Sequence, residues 1–442
     1  MTEKDLNSLS PTRNSNLTTI PPTMEAIFYE EYGGLNVLQY SNRFKTPQFE
    51  SKKPKQEQVL VRVMYTSINP LDFKIRNGFF RHIFVGKTTF PIIPSSDMSG
   101  IVVQTSGDDS KFKVGDEVFG INGYGGCLAE FNLVNANSLA LKPKELSHAE
   151  ACTIPMVGLT AHQSLVEIGK VKENSSVLIL GASGNVGNYC LQYAKNVLGA
   201  EVYAGCTTEK GVQLVKELKP EKTFLLYDRT RSIKSGKETN TSEDISDPSH
   251  RSEQQQSNEH TTISTGDTTV LENADEEDMP FEYSVPNVDV IIDCIGDQQL
   301  RKRTWKLLKS RKAKYIQIGV ANQEISLWNM LTLGAFVSWR KVISTIGLGP
   351  EFVFFRVNSN NQTENLEKLA SYHVSGKIKP NIATSFDEMN LENVKTAYSI
   401  SESRGTRGKI LIQVSKWLPQ YDQSRKYLMR FNKPAMYKFV SQ

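Results

Sequence analysis

The sequence is poor in cysteine, and the cysteines it has do not pair. Its five, at positions 127, 152, 190, 206 and 294, form neither a C-x-x-C pair nor a Cys/His cluster. That scatter gives no thiolate-bound structural zinc site and fits a compartment in which thiols stay reduced. Long apolar runs are missing too. The longest uncharged one, Ile325 to Trp339, has 15 residues and contains Asn329, so it is too short and too polar to span a bilayer. Charge of one sign does not dominate: 52 Lys and Arg against 48 Asp and Glu leave +4, which gives no argument for a nucleic-acid partner. The first 23 residues are polar and include Glu3 and Asp5. They lack both the apolar core of a signal peptide and the Arg-rich, acid-poor character of a transit peptide. A cytoplasmic protein is the default expectation. Residues 229–280 hold no aromatic side chain, and hydrophobic residues make up only 38% of the chain. Both deficits point to segments that cannot bury enough apolar surface to offset the entropy of ordering. The arm 1–23 and an insertion over 229–280 are therefore expected to be disordered.

Against this background one stretch stands out, Val177-Leu-Ile-Leu-Gly-Ala-Ser-Gly-Asn-Val-Gly187. Four apolar residues read as a buried strand, glycines follow at 181, 184 and 187, and a helix-suited run continues through Leu191 and Ala194. A strand that turns tightly into a helix aims free N–H groups at the turn, and a phosphate is the usual occupant. Gly181, Ser183, Gly184, Asn185, Val186 and Gly187 are thereby candidate cofactor-binding residues.

Upstream, Glu57 to Tyr65 alternates as a strand should, and Val114-Gly-Asp-Glu-Val-Phe-Gly120 is a turn entering another strand. Short strands at such intervals suggest a β-rich domain up to about residue 150. Further on, strands expected at 177–181, 201–206, 223–227, 288–294 and 314–318 alternate with helical runs at 185–198, 209–218 and 298–309. That alternation implies an α/β fold with a doubly wound parallel sheet. A short amphipathic helix near 391–399 and a strand over 408–414 close the folded part. The tail from Lys416 carries six Lys/Arg against one Asp, interleaved with Trp417, Tyr421, Tyr427, Phe431, Tyr437 and Phe439. It reads either as a segment packing back on the body or as an interfacial, partner-binding tail.

Taken in order, Ser67-Ile-Asn-Pro-Leu-Asp-Phe-Lys-Ile-Arg-Asn-Gly78, Pro94-Ser-Ser-Asp-Met-Ser-Gly100, Gly126-Cys-Leu-Ala-Glu-Phe131, Ile154-Pro-Met-Val-Gly-Leu-Thr-Ala161, the glycine turn and Arg407-Gly-Lys-Ile-Leu-Ile-Gln-Val414 form a recognisable series. It resembles the zinc-free, quinone oxidoreductase-like branch of the medium-chain dehydrogenase/reductase superfamily, over about 24–228 and 285–414. The resemblance implies a GroES-like β-rich domain from both ends of the chain, placed at 24–160 and 320–414. A Rossmann domain at 161–319 lies between them, the cofactor sits in the cleft, and a tail occupies 415–442.

The nicotinamide cofactor expected is NADPH. NAD-preferring Rossmann folds place an acidic residue about 20 positions beyond the glycine turn. Here the second strand ends at Cys206 without one, and Thr207, Thr208 and Lys210 follow. Hydroxyls and an ammonium would bind a 2′-phosphate that a carboxylate would repel. The plainer reading of Lys210 is an exposed residue opening a helix. By resemblance, Lys210 and Tyr227 match positions that hold the adenosine phosphate end, and Thr160 lies near the cofactor. The positions matching zinc ligands elsewhere in the superfamily look like Ser67, Ser96 and Asp97, so no catalytic metal is expected. Reduction would then be direct hydride transfer to a small electrophilic acceptor, a quinone or an α,β-unsaturated carbonyl. The resemblance puts Asn69 and Lys74 in the catalytic roles of polarising the acceptor's carbonyl, while a turn before Pro70 is the plainer reading of Asn69.

Departures from the pattern keep a second function open. Relatives usually have Gly and Ala where this chain has Ser95 and Ser99. A positive φ at Ser95 would cost about 1 kcal/mol relative to Gly. The apolar stretch 325–356 is most simply a core and dimer-contact element, so a homodimer is expected. The fungal ATPase-stabilising proteins of this superfamily are similar in carrying extensions on the fold. The alternative to the enzyme is accordingly a membrane-peripheral factor assisting delivery of a plasma-membrane proton pump. Its tail 416–442 would contact a membrane surface or membrane protein, and its NADPH binding would be vestigial or regulatory.

Overall fold

A computed structural model describes residues 20–49, 57–79, 81, 89–107, 109–123, 125–227, 284–319, 327–403 and 406–416. The arm 1–19, the insertion 229–280 and the tail from residue 417 lie outside them, and with them the expectations placed there. The chain divides into two compact units. One takes the described residues of Met1–Leu159, Asn358–Val374 and Pro380–Gln442, and the other takes Thr160–Val357 and Ser375–Lys379.

The first unit is built on a seven-stranded sheet. Strand Gln58–Ile68 pairs antiparallel along its length with Asp97–Thr105. On its other edge it pairs with Phe131–Asn135 at one end and Lys409–Gln413 at the other. Ile382–Phe386 lies beyond Lys409–Gln413, while Glu117–Ile121 and Leu139–Leu141 extend the opposite side. The alternation seen in 57–65 has a direct cause. Val59, Val61 and Val63 pack with Met98, Val102 and Val118, whereas Leu60 turns the other way onto Met24, Ala26 and Phe131. The strand is thus covered on both faces. A helix the sequence reading omitted, Thr363–Val374, is anchored by Thr363 Oγ1 donating to Leu139 O at 2.8 Å.

The second unit is a six-stranded, wholly parallel sheet. Its order is Lys222–Leu225, Glu201–Cys206, Ser176–Leu180, Val290–Asp293, Lys314–Gln317 and Glu351–Phe354. Counted along the chain this is 3-2-1-4-5-6, the doubly wound order whose direction reverses beside the first strand. Ser176–Leu180 is buried throughout, as a central parallel strand must be. One expected boundary needs correcting. The return to the β-rich unit, expected at residue 320, occurs after Val357, because Glu351–Phe354 hydrogen-bonds to Lys314–Gln317 as the sixth strand. Phe352 fixes it there by stacking on Tyr315, with ring centroids 5.7 Å apart, and meeting Phe336 edge-on at 5.0 Å. Phe336 belongs to helix Leu327–Thr345, on which Trp339 and Val342 are exposed. Among the described residues no helix is long and apolar enough to cross a membrane.

Candidate functional site

The glycine turn stands where the strand order reverses. Gly181 has φ +83°, and a Cβ built on it would meet Ile295 Cγ1 at 3.1 Å, so the turn closes against the segment after the neighbouring strand. Its N–H and that of Ala182 both donate to Gly205 O, at 2.9 and 3.0 Å. Gly187 permits the tightest approach, since a Cβ there would lie 2.2 Å from Gly181 O. Gly184 differs. It caps helix Asn185–Asn196 with φ −76°, and its Cβ would meet only Gly181 O at 3.4 Å. No side chain caps this helix and no acid lies in its first turn. The first turn, at Asn185, Val186 and Gly187, thus presents the positive end of the helix without a competing carboxylate.

Asp293 builds the other side of the reversal point. Its fully buried carboxylate accepts from Ile295 N at 2.9 Å, Gly296 N at 2.8 Å and Tyr315 Oη at 2.9 Å. Burial pushes this carboxyl up, against those hydrogen bonds and the charge of Arg301. The sequence reading passed over Asp293, because an acid ending an apolar strand carries no motif. Ser183 and the helix Glu209–Lys216 meet through Gly211, on which a Cβ would fall 2.7 Å from Ser183 Oγ. Thr208 caps that helix by accepting from Gly211 N at 3.1 Å, while Thr207 and Lys210 are exposed beside it. Tyr227 is 39% exposed, and its phenol is pushed up to about 12 by burial and by the carboxylates of Asp297 and Asp293. Thr160 is buried in helix Pro155–His162.

In the first unit, the residues matched to metal ligands in relatives meet a lysine. Asp97, fully buried, accepts four hydrogen bonds. Oδ1 takes Met156 N at 2.8 Å, and Oδ2 takes Ser67 Oγ at 2.8 Å, Asn69 Nδ2 at 2.9 Å and Lys409 Nζ at 2.9 Å. Lys409 is 3% exposed and also donates to Asn69 Oδ1 at 2.7 Å. Asn69 gives its second amide hydrogen to Ser67 O at 3.2 Å. Both hydrogens of its amide are thus engaged within this network. Lys74 sits half-buried on helix Pro70–Arg76 with its ammonium 5.8 Å from the Phe79 ring centroid. Asp72 caps the same helix by accepting from Asn69 N at 2.7 Å. Burial pushes its carboxyl up to about 7, aided by the charge of Asp97 and opposed by Lys409 and Arg76.

Ser95 has φ +67°, in the left-handed region, where a side chain is costly relative to Gly. Its buried hydroxyl lies 2.7 Å from Thr66 Oγ1 and 3.1 Å from Ser67 O, which ties the strained residue to the strand carrying Ser67. Among the described residues no three of His, Cys, Asp and Glu are grouped as metal ligands.

A doubly wound dinucleotide-type sheet with an uncapped glycine turn, and a separate β unit of GroES type, together define a class of two-unit nucleotide-dependent proteins. Comparison makes this specific. Residues 55–144 match the alcohol dehydrogenase GroES-like domain and 266–412 the zinc-binding dehydrogenase domain. The 2-methylene-furan-3-one reductase of Solanum lycopersicum is 34% identical over 212 residues, which cover 46% of this chain and 52% of the relative. The NADPH-dependent alkenal/one oxidoreductase of Arabidopsis thaliana chloroplasts is 27% identical over 89% of this chain and 80% of its own length. The quinone oxidoreductase structure from Coxiella burnetii superposes with a TM-score of 0.63 at 22% identity, over 89% of this chain and 99% of that one. The match spans about half the length of the first curated relatives. The chain carries the GroES-like and zinc-binding dehydrogenase domains of the medium-chain dehydrogenase/reductase superfamily, and the relatives it matches include quinone and alkenal oxidoreductases.

Proposed function

We propose that the protein is an NADPH-dependent oxidoreductase that reduces a quinone or an α,β-unsaturated carbonyl. The observation that carries this reading is the uncapped, acid-free helix start at Gly184, at the point where the strand order reverses. Relatives whose names include quinone and alkenal oxidoreductases support the acceptor class. Bound NADPH would supply the hydride. The chain's own part is to bind the pyrophosphate at Gly181–Gly187, with Thr160 and Tyr227 beside the cofactor, and to prefer the 2′-phosphate through Thr207 and Lys210. Glu209 shares the first helical turn with Lys210, so the preference is a balance of charges and must be measured.

Titration of the purified protein with NADPH and NADH, followed by a panel of quinones and enones, tests the proposal. Tighter NADPH binding that falls toward the NADH value in Lys210→Ala is expected; equal affinities for the two cofactors would refute the role of Lys210. No turnover over a broad acceptor panel, with NADPH demonstrably bound, would sink the enzyme reading. A homodimer belongs to the same proposal, supported by the exposed Trp339 and Val342. A monomer mass in sedimentation equilibrium would remove it.

A further inference from the structure

The Asp97–Asn69–Lys409 network leaves one donor over. Asp97 accepts one hydrogen bond at Oδ1 and three at Oδ2, and both hydrogens of the Asn69 amide are spent. Lys409 has three N–H donors and uses two, on Asn69 Oδ1 at 2.7 Å and Asp97 Oδ2 at 2.9 Å. Its third has no partner among the described residues, although the side chain is 3% exposed. A buried donor left unpaired is destabilising, so such a group is retained where something else fills it. The charge balance says what kind of ligand. Lys409 pairs with Asp97 at 2.9 Å, and the unused N–H belongs to the cationic partner. A buried ammonium, held in place and short of one acceptor, suits an anionic oxygen.

The geometry points to Lys409 as an oxyanion-binding residue, which donates its third N–H to an enolate- or phenolate-type oxygen of the acceptor. The contact is a hydrogen bond, and no bond is made or broken at Nζ. Asn69 and Asp97 position the ammonium. The assignment of the ligand to an acceptor rests on the proposed reductase function, whereas the oxyanion site stands without it.

A nitrophenol reports the site with neither cofactor nor turnover, because its phenolate absorbs at longer wavelength than its phenol. On the full chain, bound nitrophenol is expected to show the phenolate band at a pH where the free probe is mostly protonated. Lys409→Met should abolish that band, but it also strands Asp97 and lowers the melting temperature. The double variant Lys409→Met/Asp97→Asn removes both charges, and Asn69 can turn its amide to suit. It should recover the melting temperature while the phenolate band stays lost. Recovery of both would overturn the proposal and make Lys409 purely structural, as would the absence of bound phenolate in the unaltered protein. Displacement of the phenolate band from the unaltered protein by inorganic pyrophosphate would support the oxyanion site and identify a phosphate as its source. A protein that binds phenolate through Lys409 yet reduces nothing would sink the reductase function alone.

Discussion

Ser95 shows at the scale of one residue how strain and bonding offset each other. Its left-handed φ costs about 1 kcal/mol relative to Gly, and its two buried hydroxyl bonds return about 0.5–1 kcal/mol net each. Ser95→Ala keeps the strain and loses the bonds, so it should lower stability by about 1–2 kcal/mol. Ser95→Gly loses the bonds but relieves the strain, and should lie about 0–1 kcal/mol below the parent. Urea unfolding of the two variants separates these terms. Asp72 sets a pH dependence. Its carboxyl is raised from 3.8 to about 7 in the folded state, so between those values the folded protein holds a proton that the unfolded chain has released. Its contribution to stability therefore diminishes as pH rises from about 4 to about 7. Asp72→Asn, which keeps an oxygen to accept from Asn69 N, should gain on the parent when urea midpoints at pH 8 are compared with those at pH 5. An equal difference at both pH values would count against the raised carboxyl. Ser95 drew notice in the sequence only through the family resemblance, which implies a Gly at that position. Asp72 drew none, since nothing in Asn69-Pro-Leu-Asp72 reveals how deeply the helix start is buried.

At the scale of elements, the glycine turn separates fold from function. Gly187 is needed for packing, and Gly187→Ala would drive a Cβ to 2.2 Å from Gly181 O. Destabilisation of about 1–3 kcal/mol, the usual cost of overpacking, is expected. Gly184→Asp does the opposite. The site has space, φ is ordinary, and Asp is a favoured cap for a helix start. The melting temperature should hold or rise while NADPH affinity drops at least about 100-fold, from charge repulsion where a phosphate would lie. If NADPH binding survives that change, the turn does not bind the cofactor. The strand and helix here were readable because periodicity and glycine spacing are local signals. Strand Glu351–Phe354 was less so: its apolar run is too short to distinguish a sixth strand from a core loop, and the aromatic stack that decides the matter draws on three separate elements.

Across the whole molecule, the interactions hardest to foresee are those between distant parts of the chain. Lys409 and Asp97 are separated by 312 positions, and a lysine opening the apolar run Lys409-Ile-Leu-Ile412 reads as an exposed strand end until its partner is seen. Strand Lys409–Gln413 lies inside its sheet, between Ile382–Phe386 and Gln58–Ile68. A chain ended at residue 405 would lose an interior strand together with the cation opposite Asp97. Its first unit should fail to give a cooperative unfolding transition, and limited proteolysis should digest it while fragments within 160–357 resist. Survival of both units would show that the strand is dispensable. The same placement bears on synthesis. All six strands of the parallel sheet have been made by residue 354, so that unit can close while translation continues. The β unit begins earlier, and its strands up to Leu139–Leu141 can pair as they are made, yet the end of Gln58–Ile68 that faces Lys409–Gln413 stays unpaired until one of the last-made segments arrives. In the cell that edge, and the buried face of Asp97 beside it, must wait for most of the time the chain is being made.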